Sequence, residues 1–142
     1  MRLIDTSALI VAVNRSDDRH GVTRAFMERV LSDGSSNFIA PASIIGFVRQ
    51  ITRVVGGLPG LPVSEAFELV DDWLRRSTVH IPTPDALHFS RVRELLEGAG
   101  ASGKLVDDAH LAALAMQYRA TIVTFDSDFA RFPGIKWESP GT

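Results

Sequence analysis

Short apolar runs alternate along this chain with longer segments whose apolar residues recur every three or four positions. The first run, residues 2–5, carries Leu3 and Ile4 and reads as a strand, with the hydroxyls of Thr6 and Ser7 placed to cap a short helix over 8–13. Residues 18–31 are amphipathic, with Val22, Ala25, Phe26 and Val30 at helical spacing, and Asp33-Gly34-Ser35-Ser36 closes them. A brief strand is expected at 38–40. A helix follows over 41–55, opened by Pro41 and ended by Gly56-Gly57.

The second half repeats the alternation. Helix 64–76, with Ser64 as cap, precedes a strand at 78–81. Helix 85–97 leads through a turn containing Gly98, Gly100 and Gly103 to a helix over 106–118 that is apolar around most of its circumference and so expected to be buried on several sides. Thr121 to Thr124 reads as a strand, and a last one is expected at 135–137. Strands alternating with helices imply parallel pairing through crossover helices. The expected architecture is α/β, a three-layer α/β/α sandwich around a mainly parallel sheet, with residues 1–142 forming one domain.

Composition narrows this reading without redirecting it. The 142 residues are 45% hydrophobic and 23% charged, the balance of a globular domain. Cysteine is absent, which excludes disulfides and thiolate metal sites. No secretory signal or membrane-length apolar stretch is visible, so a cytoplasmic protein without a membrane partner is expected. A net charge of -2 argues against coating nucleic acid through bulk electrostatics, but not against a nuclease with a local basic rim.

Acidic side chains supply the candidate chemistry. Asp5 ends the first strand and Asp126 follows the strand 121–124, so both belong at the carboxyl edge of the sheet, where open α/β folds place their sites. Asp108 lies in the first turn of the helix entering that strand, and Asp128 stands two residues beyond Asp126. Carboxylates gathered without a basic partner repel one another unless a cation neutralises them, and oxygen-only sites suit Mg²⁺ or Mn²⁺. Singly, each residue has a plainer role: Asp5 as a cap, Asp107 and Asp108 as helix-dipole partners, Asp126-Ser127-Asp128 as a turn. The four histidines lack metal-ligand spacing and are expected to be structural or superficial.

Three blocks carry a resemblance. Leu3-Ile4-Asp5-Thr6-Ser7-Ala8-Leu9, Leu105-Val106-Asp107-Asp108-Ala109-His110-Leu111 and Thr124-Phe125-Asp126-Ser127-Asp128-Phe129 resemble the PIN-domain proteins, and among them the VapC toxins of bacterial toxin-antitoxin pairs. The resemblance implies an endoribonuclease using one or two Mg²⁺ or Mn²⁺ ions to cleave RNA phosphodiesters through metal-activated water, held in check by a cognate antitoxin and forming a homodimer. It makes Asp5, Asp108 and Asp126 metal ligands, Asp128 an auxiliary catalytic acid, and Thr6, Ser7 and Thr124 supporting hydroxyls.

The chain departs from the family at one place. A glutamate is common three residues before an arginine on the helix after the second strand, and counting back from Arg49 finds Gly46. Arg49 is then a candidate to face phosphate or pair with a carboxylate, against a plain solvent-facing role. Gly46 motivates the alternative of a catalytically impaired module that binds RNA or antitoxin. A phosphatase or receiver domain fits less well, since Ser7 stands where such phosphatases want a second aspartate and Lys136 lies too near the end for a receiver's lysine. Helices 18–31 and 41–55 are candidate antitoxin-docking surfaces, or simply core.

Overall fold

In the computed structural model, which describes residues 1–141, all strands pair in parallel. They are β1 (Arg2–Ile4), β2 (Asn37–Phe38), β3 (Val79–His80), β4 (Thr121–Val123) and β5 (Trp137–Glu138), in spatial order β3-β2-β1-β4-β5. Two helices fill each of the first three crossovers: α1 (Thr6–Val13) with α2 (His20–Ser32), α3 (Pro41–Thr52) with α4 (Val63–Leu74), and α5 (His88–Ala99) with α6 (Leu105–Tyr118). A 3₁₀ turn, Ser127–Arg131, bridges β4 to β5.

Alternation along the strands divides the core in two. Leu3, Phe38 and Ile122 point to the face covered by α5 and α6, while their neighbours Ile4, Ile39 and Val123 point to the face covered by α1 to α4. Those six side chains are at most 8% exposed. A parallel sheet buried on both faces wants apolar residues pointing both ways, and the central positions of β1, β2 and β4 supply them. Helix α6 is the buried helix its composition predicts, with Leu105, Ala109 and the run from Leu111 to Ala115 all out of solvent. Its alanines keep its bulk small where it lies between the sheet and α5.

Several boundaries move, each for a local reason. Helix α1 begins at Thr6, because the Thr6 and Ser7 hydroxyls do not cap it but turn to tertiary partners. Pro62, not Ser64, stands at the cap of α4. Helix α5 starts at His88 instead of residue 85, since the Asp85 carboxylate accepts from Leu87 N and pairs with Arg91, holding a turn there. Helix α3 stops at Thr52, and the apolar Val54, Val55 and Leu58 project from a small exposed turn.

Strand order fixes where the site must be. From β1 the chain moves one way to β2 and β3; it then crosses β2 and β1 to reach β4 and continues outward to β5. The direction of winding therefore reverses between β1 and β4, and crossovers leaving in opposite directions open a crevice at their carboxyl ends. Asp5 and Thr124 are the residues that follow these two strands.

Candidate metal centre

Asp5 is joined to the end of β4 through its backbone and its side chain. Its N–H donates to Val123 O at 3.0 Å, extending the β1–β4 ladder by one bond. Its Oδ2 accepts from the Thr124 hydroxyl at 2.8 Å and from the Ser7 hydroxyl at 3.1 Å. No side-chain capping bond to α1 is made, so the plainer role open to Asp5 is not the one it performs.

Thr124, completely buried, organises the edge. Its Oγ1 donates to Asp5 and accepts from Asp126 N at 2.9 Å, while Ser7 Oγ accepts from Phe125 N at 3.0 Å. Each hydroxyl offers one donor and two acceptor lone pairs, and here they tie the start of α1 to the loop after β4. Asp126 Oδ1 in turn accepts from Asp128 N at 2.9 Å, which fixes the 3₁₀ turn and sets Asp128 beside Asp126. The turn reading of this segment is thus correct as far as it goes, and the turn is what presents the second acid.

Three carboxylates converge: Asp108 from α6, with Asp126 and Asp128, offer ligand oxygens all within 4.8 Å of one another. Asp5 is outside this triplet yet close enough to be felt. Burial, then the charges of Asp126, Asp5, Asp128 and Asp107 in that order, push the Asp108 carboxyl up to about 7. Such crowding with no cation among the described residues to relieve it, and oxygen donors only, fits a divalent ion.

Beside the acids runs a cleft of about 420 Å³ between α3 and α6, with Asp5, Asp107, Asp108 and Arg49 on its walls. Arg49 is exposed at the lip and forms no ion pair among the described residues, so it does not neutralise a carboxylate. Gly46 lies deeper. Its missing side chain is explained by Thr6, whose Oγ1 stands 2.9 Å from where a Cβ would be and is held there by its bond to Ser43 O. Ser43 was not foreseen: it is 2% exposed, lines the cleft, and its own hydroxyl has no partner. Nothing in its sequence context separates it from an ordinary first-turn serine.

Of the histidines, His80 is exposed and His88 is buried, and two of them form a pairing that their sequence positions did not show. His88 Nε2 and His110 Nδ1 lie 2.7 Å apart between α5 and α6. Burial first, and for His88 also its neighbour, holds both rings below the usual imidazole range.

A parallel sheet whose winding reverses over a crevice holding converging carboxylates is the arrangement of an α/β protein with a candidate divalent-cation site at its strand ends. The chain belongs to the PIN-domain family, whose model matches residues 2–135, and within it to the VapC ribonucleases. It is 36% identical over 141 residues to ribonuclease VapC37 of Mycobacterium tuberculosis, covering 99% of this chain and 97% of that protein. Among solved structures it is similar to VapBC2 from Rickettsia felis bound to a promoter DNA fragment, with a TM-score of 0.71, 20% identity and 97% of each chain covered. It is also similar to VapC20 of Mycobacterium tuberculosis, a toxin that cleaves the sarcin-ricin loop, with a TM-score of 0.67, 19% identity, and 96% of this chain and 99% of that one covered. No helix among the described residues is long and apolar enough to cross a membrane.

Proposed function

We propose that this chain is a divalent-metal-dependent endoribonuclease and the toxin of a toxin-antitoxin pair, acting as a single domain over residues 1–142. The observation that carries the reading is the convergence of Asp108, Asp126 and Asp128 within 4.8 Å, beside an Asp5 held by two hydroxyls. In this reading Asp108, Asp126 and Asp128 hold the first ion, Mg²⁺ or Mn²⁺. Asp5 contributes through the oxygen that Thr124 and Ser7 leave free. A bound divalent ion there supplies an activated water and neutralises charge developing on the phosphate.

The chain's own residues do the rest. Thr124 and Ser7 aim Asp5, and the turn at Ser127–Arg131 aims Asp128; such orienting partners commonly matter 10- to 100-fold in metal affinity or activity. Arg49 is placed at the cleft's lip to meet the substrate's backbone. RNA as substrate, a cytoplasmic location and a homodimer are read from the family. A cognate antitoxin has a candidate seat in the groove of about 350 Å³ between α2 and α4, where Met27, Leu69 and Trp73 lie among Arg15, Arg24 and Arg76.

Purified full-length protein should cut single-stranded or structured RNA with Mg²⁺ or Mn²⁺ and stop with EDTA. Asp5→Asn and Asp126→Asn should each lower the rate at least 100-fold while melting as cooperatively as the parent. Cleavage by either variant at the parental rate would remove that residue from the site. A second reading, a module that binds RNA or antitoxin without turnover, has one observation behind it: the α3 residues lining the cleft include no acid. RNA binding with no cleavage in any divalent metal would favour it.

A further inference from the structure

Phe125 sits between Thr124 and Asp126, and its N–H is bound to Ser7 Oγ, so its position is tied to the acidic site. Its partly exposed ring is covered by an arginine at the start of α2: the Arg19 guanidinium carbon lies 4.3 Å from the ring centroid. A cation over an aromatic face is attracted by the ring's quadrupole, and the planar guanidinium stacks well there. Arg19 precedes α2 directly and remains half-exposed.

The same guanidinium is gripped along one edge. Asp17 accepts from Arg19 Nε at 3.0 Å and from Nη2 at 2.8 Å, and Asp17 also accepts from Arg19 N at 2.8 Å. The arginine holds the Asp17 carboxyl down to about 2, so this grip persists across the physiological range. Of the five N–H donors three remain, and one on Nη1 and the second on Nη2 lie side by side along the outer edge. No acceptor meets Nη1 among the described residues. Most exposed arginines wave freely; this one is fixed by a carboxylate on one edge and a ring on its face, with a two-pronged donor edge left over. That edge matches the oxygens of a phosphodiester.

Resting on the ribonuclease reading, we infer that Arg19, stacked on Phe125 and gripped by Asp17, is a substrate-positioning site for an RNA phosphate next to the scissile one. It lies on the Asp126 side of the acids, while Arg49 lies on the α3 side. Arg19 therefore reaches the segment that carries Asp126, and Arg49 lines the cleft that holds Asp5 and Asp108. A strand that meets both has two cationic contacts near the carboxylates, which gives a negatively charged pocket a way to hold a polyanion. Phe125 acts through Arg19, as the surface that keeps the guanidinium in plane.

The test is the salt dependence of RNA binding by the full chain, read by anisotropy of a fluorescent single-stranded RNA with Ca²⁺ in place of the catalytic ion. Each lost phosphate contact on a single strand lowers the slope of log K against log salt by about 0.7. Arg19→Gln should weaken binding roughly tenfold and lower the slope by that amount. Phe125→Leu should weaken binding less, and Phe125→Tyr should restore it. Arg93→Gln, an exposed arginine on α5 paired with Glu97, should leave the slope unchanged. A parental slope in Arg19→Gln, or an equal drop in Arg93→Gln, overturns the assignment while leaving the ribonuclease reading intact. A parent that binds neither this RNA nor a structured one overturns the assignment, and the cleavage assay decides the ribonuclease reading separately.

Discussion

Thr6 and Gly46 are paired: the hydroxyl of one fills the space a side chain on the other would need, 2.9 Å from the would-be Cβ. Thr6 cannot step aside freely, since it is short and bonded to Ser43 O at 3.0 Å. The glycine that breaks the family pattern is therefore built into the contact between α1 and α3. Gly46→Ala should cost about 1–3 kcal/mol by urea denaturation, and much less in a Thr6→Ala background. Gly46→Glu by itself is a poor test of a missing ligand, because it disturbs the element that carries Asp5; the pair Thr6→Ala with Gly46→Glu is the informative variant.

Thr124 links two acids through one oxygen, donating to Asp5 and accepting from Asp126 N. Thr124→Val preserves shape but removes both bonds, leaving the partly buried Asp126 N–H without its partner. We expect a stability loss of about 1–3 kcal/mol and a 10- to 100-fold weaker affinity for Mn²⁺ by calorimetry. Thr124→Ser, which keeps the hydroxyl, should retain most of the affinity.

Asp108 makes stability depend on pH in an unusual direction. Its carboxyl titrates near 7 when folded against an ordinary value of 3.8, so across that interval the folded chain keeps a proton that the unfolded chain has released. Metal-free protein should lose stability as pH rises from about 4 to 7. Asp108→Asn should remove this dependence and stabilise the metal-free chain at pH 8 by an amount on the order of 1 kcal/mol, allowing for solvent screening. Because protons compete with cations for the carboxylate, Mn²⁺ should raise the melting temperature more at pH 8 than at pH 6.

His88 and His110 act in the opposite sense. Both rings are held below 6.5, so as the pH falls below that value the unfolded chain takes up protons before the folded one does. The pair's contribution is lost toward acid. His88→Leu should cost about 1 kcal/mol at pH 7, where the 2.7 Å bond is intact, and distinctly less at pH 5, measured by thermal melts across the two buffers.

The order of elements was legible in the chain because it depends on near neighbours. Leu3 and Ile4 serve opposite faces of the sheet by the two-residue period alone, and the apolar girth of α6 shows a helix enclosed on several sides. Asp5 and Asp126 were placed at one edge by counting from strand ends in a parallel sheet. The three sequence blocks pointed to the family, and the match across residues 2–135 establishes it.

Which acids share a site at atomic range was decided by the tertiary structure. Asp5 and Thr124 meet across 119 residues because β1 and β4 are neighbours, and the rotation of α6 brings Asp108 into the triplet with Asp126 and Asp128. Periodicity tells which face of a helix is buried but not how far that helix turns or slides on its neighbour, and a few ångströms separate a ligand from a bystander. For the same reason the sequence showed Gly46 as an omission and was silent on Arg19 and Phe125. Their meanings lie in partners, Thr6 for one and each other for the rest, that only packing brings together.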